Sequence, residues 1–542
     1  MRALWVALGI LVAASSVQAS ADTRWRITKD HWSEADEQGF GKFVQSIGDS
    51  TCNSTESCMR SAANPYRSSD PHNFDVDADC AKFVYFLRAY YASKNGLPFA
   101  FVNGVSGSGS DLRFSKNGNR AVSRYEFIDK GNGIDQPAAM RAILGSITSA
   151  TYRQAADEDK GVLPDFYSPK ISAKTIHPGT VLYDVNGHAA IVYRVDSDGR
   201  IHYMGASPDF SVSRDVYGAQ FGQPPVKLGG GFKDWRPLTL AKAHSDGEGH
   251  LIGGHIVLAH NQDIPDYSLE QYVGTKSDPS GNEKTAQWDY SGVDLSYFEY
   301  VRVAVSGGEM SFNPIYEFKV TLGELCKEFK DRAASVEQAT ENGISEKPHP
   351  ASLPQNIYAA ADDTWESYAT PKRDARIKAI FAQSHKDLAE MLDLWRKRDP
   401  RIVYDGLDLK GDLQKLYASE TQSCVVTYLN SAKQPVSLNF DMLVKRIYAM
   451  SFDPYDCVEH RWGATGAEAS TCNDSEDKQR WYEAEQGYRD RLDPDATAHT
   501  GYGLAELEHR KAPTKVADVD LKSLVDDMGP QVAFNGMTPV GR

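Results

Sequence analysis

The chain has 542 residues, 41% of them hydrophobic, and a formal net charge of -15 at pH 7. That length and apolar fraction allow two or more domains with large cores. The negative balance, spread without a basic block, argues against nucleic acid and anionic membrane surfaces as partners. Past the N-terminal segment no stretch reaches the roughly 18 apolar residues of a membrane span.

Residues 1–21, MRALWVALGILVAASSVQASA, carry an early positive charge at Arg2, an apolar run from Leu4 to Ala14 and small residues ending in VQA and ASA. This is the pattern of a secretory signal peptide, with the mature chain starting near Ser20 or Asp22 and no nearby cysteine to take a lipid. The expected location is periplasmic or secreted. In that oxidising setting most of the seven cysteines should pair. Closeness in sequence suggests Cys52 with Cys58 and Cys457 with Cys472; Cys326 and Cys424 then join within the C-terminal half, and Cys80 is left free.

Residues 22–284 are expected to form an α+β domain. Its most informative stretch is DVDADCAKFVYFLRAYYASKNGLPF, residues 75–99. Apolar positions at Ala81, Val84, Tyr85, Leu87, Ala89 and Tyr91 predict a largely buried helix starting beside Cys80, with Asp79 as N-cap. A cysteine in a first helical turn feels the positive end of the dipole, which favours the thiolate. The bland alternative is a small buried apolar residue. The run Asp75, Asp77, Asp79 lacks the glycine and the closing glutamate of a calcium loop. The glycine- and serine-rich VNGVSGSGSDLRFSKNGNR that follows reads as a polar, mobile loop.

Next come three strand patterns, TVLYDV, AAIVYRV and RIHYMGA, separated by NGH and the turn DSDG. His188 opens the second of them. A neutral imidazole within hydrogen-bond reach of a thiol can take its proton and later return it to a leaving group. His202 on the third strand, with Ser207 and Asp209 beyond its end, could orient that ring. GGGFKDWRP, residues 229–237, offers Trp235 and Arg236 as a cleft rim or as a structural loop. His244, His250, His255 and His260 match no helical zinc spacing. Neither a metal nor a cofactor is expected.

Residues 285–542 change to helical periodicity in LGELCKEFKDRAASVEQATEN, DARIKAIFAQSHKDLAEMLDLWRKRD and DKQRWYEAEQGYRDRLD. A mostly α-helical C-terminal domain is expected, its aromatic stripes forming core.

A cysteine on a helix N-terminus, a PGTVLY strand and a histidine opening the next strand together resemble the papain-like cysteine peptidases of the NlpC type, which cleave peptide stems of bacterial cell walls. DCAK stands where that family has DCSG, and His202 lies close to its third residue. CAKFVYFLRAYYASKNGLP and HAAIVYRV with MGASPD also resemble the transglutaminase-like relatives, although Gly205 falls roughly where their aspartate lies. The resemblance covers about 135 residues. It implies a papain-like N-terminal domain and an exported cysteine peptidase or amidase with Cys80 as nucleophile, His188 as general base and His202 as orienting residue, acting on peptide, with cell-wall peptide as the implied substrate. Asp209 is the reserve for the third role. Acyl transfer to an amine on the same site, and a non-catalytic binding or scaffold protein whose helical half meets a protein partner, are the alternatives.

Overall fold

The computed structural model describes residues 24–71, 76–109, 111–185, 187–218, 221–276, 283–308, 311–358, 363–492, 498–510 and 515–529. The expected signal peptide lies outside them, as does Asp75. The fold mixes helix and strand. Strands dominate up to Leu295, and helices from Tyr297 onward.

Helix α1 (Glu34–Gly48) begins in a capping box built by Ser33 and Asp36. Helix α2 (Cys80–Lys94) starts where the sequence predicts, with the Asp79 carboxylate accepting the Lys82 N–H at 3.0 Å. Apart from Lys82 it is buried from Ala81 through Ala92, as a helix apolar on most of its faces must be. Arg88 is buried there because its guanidinium stacks 3.3 Å over Trp32 and pairs with Glu37 at 2.7 Å. The hairpin β1 (Phe99–Ser106) and β2 (Arg120–Phe127) follows. The stretch expected to be a loop therefore begins as strand, through Val102–Ser106. Its connection is fastened by Asn119, which donates to the carbonyls of Leu112 and Ala150.

After α3 (Gln136–Ser146) the main sheet forms from β3 (Phe166–Tyr167), β4 (Val181–Asp184), β5 (His188–Val195), β6 (Ile201–Ala206), β7 (Val212–Val216) and β8 (Gly231–Trp235). The spatial order is β3-β8-β4-β5-β6-β7, antiparallel throughout. The DSDG turn joins β5 to β6, with Gly199 at φ 82° and its N–H on the Asp196 carbonyl at 3.0 Å. Side chains alternate across the sheet. Val181, Tyr183, Ala189, Ile191, Met204 and Ala206 join α1 and α2 in one core. Leu182, Ala190, Val192 and Tyr203 pack with α4 (Tyr297–Val305) in another. Helices thus cover both faces.

Two long helices, α5 (Pro314–Glu341) and α6 (Pro371–Arg396), then pack with α7 (Leu409–Gln422) around Phe318, Leu325, Phe329, Ile377 and Phe381. A hairpin not expected from the sequence, β9 (Val425–Leu429) with β10 (Pro435–Asn439), interrupts this helical half. Disulfides link Cys52 to Cys58, Cys326 to Cys424 and Cys457 to Cys472, leaving Cys80 free. They fit an oxidising setting outside the cytoplasm. Among the described residues no helix is long and apolar enough to cross a membrane.

Candidate active site

Cys80 stands at the mouth of α2, partly exposed, where the first-turn N–H groups have no carbonyl four residues back to bond. The buried Tyr152 hydroxyl donates to the Ala81 carbonyl at 2.6 Å and holds that turn against the sheet. The Cys80 sulfur lies 3.9 Å from the Gly187 carbonyl oxygen and accepts the N–H groups of Ala81 and Ala189. It therefore sits on the residues immediately before and after His188.

His188 is placed by the β4–β5 register, which sets it opposite Asp184. Gly187 makes the approach with φ 97°, a conformation natural to glycine. The imidazole reaches over β6: a Cβ placed on Gly205 would lie 3.1 Å from its Nε2. Among the described residues neither ring nitrogen makes a hydrogen bond, and none joins the ring to Cys80. Burial, with the charges of Arg376, Lys372 and Lys327 overriding Asp184, pulls the His188 pKa down to about 4. The imidazole is neutral at neutral pH.

The third member expected from the sequence is not at hand. His202 pairs with Arg194 at the far end of β5. There its Nε2 meets the Asp196 carboxylate at 2.8 Å and the Arg194 guanidinium at 3.1 Å. Asp209 is committed to its own turn, accepting the Ser211 hydroxyl at 2.6 Å and the Ser211 N–H at 3.1 Å. Neither orients His188. The position facing Nε2 belongs to Gly205, which has no side chain to offer.

The thiol is also corrected. Its pKa is raised, not lowered, because burial disfavours the thiolate and the Asp79 carboxylate adds a like charge. Asp79 is itself the N-cap, so the positive helix end that was expected to act on Cys80 is largely met by a carboxylate. The Ala189 and Ala81 N–H groups and the Lys372 ammonium act in the other direction without winning.

Lys372 and Arg376, on the first turns of α6, are the residues that local spacing around Cys80 could not supply. The Lys372 ammonium lies 3.6 Å from where a Gly187 Cβ would be and 4.8 Å over the Phe114 ring. Burial lowers its pKa to about 8, against the pull of Asp184 and Cys80. Arg376 pairs with Glu328 at 3.4 Å. A signal existed: PKRDAR puts three cations at a helix N-terminus, where the dipole disfavours them. Such a placement needs anionic or functional neighbours.

Trp235 and Arg236 line a small pocket of about 10 Å³ with Trp32, Arg88, Arg124 and Asp165, and neither Cys80 nor His188 lines it. Both are buried, with Arg236 donating to the carbonyls of Pro164 and Ala259 and to Asn261. His244, His255 and His260 are exposed, and His250 bonds Asp246 at 2.7 Å. A cavity of about 320 Å³ opens between β7, α4, α5 and α6, lined by Tyr217, Phe298, Phe318, Glu324, Asp387 and Leu388. Neither Cys80 nor His188 lines it. Burial raises Glu324 to about 8 and Asp387 to about 6.

Comparison with protein-family models, with curated proteins and with solved structures returns no match.

Proposed function

We propose that the chain is an exported cysteine hydrolase of amide bonds, papain-like in its N-terminal half, working through a Cys80–His188 dyad. The observation that carries the reading is the contact of the Cys80 sulfur with the residues on both sides of His188, at a helix N-terminus. Thiol and imidazole both rest neutral. The proton would pass from Sγ to the imidazole as Sγ bonds the substrate carbonyl carbon, and from the imidazole to the leaving nitrogen as the acyl-enzyme forms. Water then releases the acid. The Cys80 N–H, at the first position of α2, offers a donor to the oxyanion, and Lys372 supplies a nearby positive charge. Peptides, with cell-wall stem peptides first among them, are the substrate class to test, and the location is periplasmic or secreted.

A second reading, a non-catalytic binding protein on the same scaffold, is favoured by Gly205, since nothing there fixes the tautomer of His188. One set of assays separates the two. Release of amines from peptide amides and stem peptides is measured for the wild type, Cys80→Ser and Gly205→Asp. The dyad reading expects slow turnover that Cys80→Ser abolishes. It also expects a gain of about tenfold or more in Gly205→Asp, whose carboxylate would meet Nε2. Absence of Cys80-dependent turnover in both the wild type and Gly205→Asp rejects catalysis and leaves the binding reading.

A further inference from the structure

The helical half contains a second polar cluster, unrelated to Cys80. Asp453, Asp456 and Glu485 are at most 1% exposed. His349, whose ring stacks on Trp481 at 4.1 Å and meets Tyr455 edge-on, joins them with a side chain only 3% exposed. One nitrogen of His349 and one oxygen each of Asp453 and Glu485 lie within 4.8 Å of one another.

Three features distinguish this cluster from an ordinary buried ion pair. First, both Glu485 oxygens and one oxygen of Asp456 are buried with no N–H or O–H donor among the described residues, and Glu485 faces another carboxyl group, that of Asp453. A carboxylate left in that state is costly. Second, His349 Nδ1 lies 2.6 Å from the Pro350 carbonyl oxygen, so this nitrogen carries a proton. The neutral ring then has its lone pair on Nε2, which points at Asp453 Oδ2 from 2.8 Å. At 2.8 Å that lone pair cannot face a carboxylate oxygen, so without a metal the ring holds a second proton and pairs with Asp453; a cation would take the place of that proton and part the two atoms. A backbone carbonyl fixing one nitrogen while the other faces inward is the usual posture of a ligating histidine. Third, the carboxylates are braced from outside: Asp453 Oδ1 accepts the Tyr455 N–H at 2.7 Å, and Asp456 Oδ2 accepts the Ser451 hydroxyl at 2.5 Å.

We propose that His349, Asp453 and Glu485 form an enclosed site for a divalent transition-metal ion of the zinc class, which ties the segment before residue 350 to the end of the helix Glu476–Ala484. An imidazole with two carboxylates is a donor set for such an ion rather than for calcium, which takes oxygen ligands. Donors around zinc stand about 3.3 Å apart for bonds of about 2.0 Å, so His349 and Asp453 need to part slightly from 2.8 Å, with all three donors already within 4.8 Å. This replaces the metal-free expectation drawn from sequence, where no local spacing joins residues 349, 453 and 485. A neighbouring group, Cys457, His460, Cys472 and Asp474, also converges, but its thiols are used in a disulfide.

The test uses the full chain with its disulfides intact. Zinc is added to chelator-treated protein, excess is removed, and bound metal is counted together with the thermal midpoint. The proposal expects about one zinc per chain and a midpoint higher by several degrees, reversed by dipicolinate. In Glu485→Gln and His349→Gln both effects vanish. Cobalt(II) in place of zinc should give no sulfur-to-metal band in the near ultraviolet. A wild type that keeps no zinc and melts unchanged overturns the site and leaves a carboxyl pair sharing a proton. A cobalt–sulfur band, or zinc retained at full occupancy by Glu485→Gln, overturns it in favour of the cysteine cluster. Should a variant fail to fold, the wild-type melting and cobalt spectrum still decide.

Discussion

At Cys80 two opposing effects meet, and their sizes decide the chemistry. The helix end, the Ala189 and Ala81 N–H groups and Lys372 favour the thiolate; burial and Asp79 oppose it and prevail. A thiol whose folded pKa is raised stays protonated through neutral pH, so it reacts with an alkylating agent only as the pH climbs past the ordinary thiol value of about 8.5. Iodoacetamide labelling of the native chain across pH, followed by peptide mapping, should show this for Cys80 alone, because the other six cysteines are bridged. Lys372→Ala removes a favourable cation and should move the rise to still higher pH. Half-maximal labelling below pH 7 would contradict the balance drawn here and point to a resting thiolate–imidazolium pair instead.

Among elements, the disulfides contribute according to the chain they close. Cys326, within α5, is joined to Cys424 at the start of the β9–β10 hairpin, a separation of 98 residues, whereas Cys52 and Cys58 are six apart. Loop-closure entropy assigns roughly 4–5 kcal/mol to the long link and about 2 kcal/mol to the short one. Urea unfolding of Cys326→Ala/Cys424→Ala should therefore show the larger loss than Cys52→Ala/Cys58→Ala; equal losses would rule out chain entropy as the main cause. Two of these pairings were legible from closeness in sequence, and Cys326–Cys424 as the pair that then remained in the C-terminal half. Helices α2, α5 and α6 were legible through apolar periodicity, and β4 to β6 through alternation and the DSDG turn. The β9–β10 hairpin was hidden because its turn places Lys433, not glycine or asparagine, at φ 60°. In the candidate site, Cys80 and His188 each carried a local signal. The roles of Gly205, His202 and Lys372 depend on strand register and on how the helical half meets the sheet, which no short window contains.

Over the whole molecule, the helical half meets the sheet through charge. Lys327 on α5 pairs with Asp215 on β7 at 3.2 Å, and Arg302 on α4 pairs with Glu317 on α5 at 2.8 Å. Two titrating groups at this junction bias stability in opposite directions. His188, held near 4 against an ordinary value of about 6.5, binds fewer protons folded than unfolded, so its contribution grows as pH rises from about 4 to 6.5. Glu324 is raised to about 8 by burial and by Asp215 and Glu328. It binds more protons folded than unfolded; its contribution is complete below the ordinary value of about 4.3 and is lost as pH rises through 8. Glutamine at 324 keeps the shape and removes the titration. Since the side chain keeps some solvent contact, a discounted gain on the order of 2 kcal/mol is expected for Glu324→Gln at pH 8. At pH 4.5, where the native carboxyl is already neutral, the gain should be close to zero. Denaturant midpoints of the two chains at both pH values measure the difference. A gain of the same size at pH 4.5 and pH 8 would mean that packing, not the proton, distinguishes glutamine from glutamate where the two halves join.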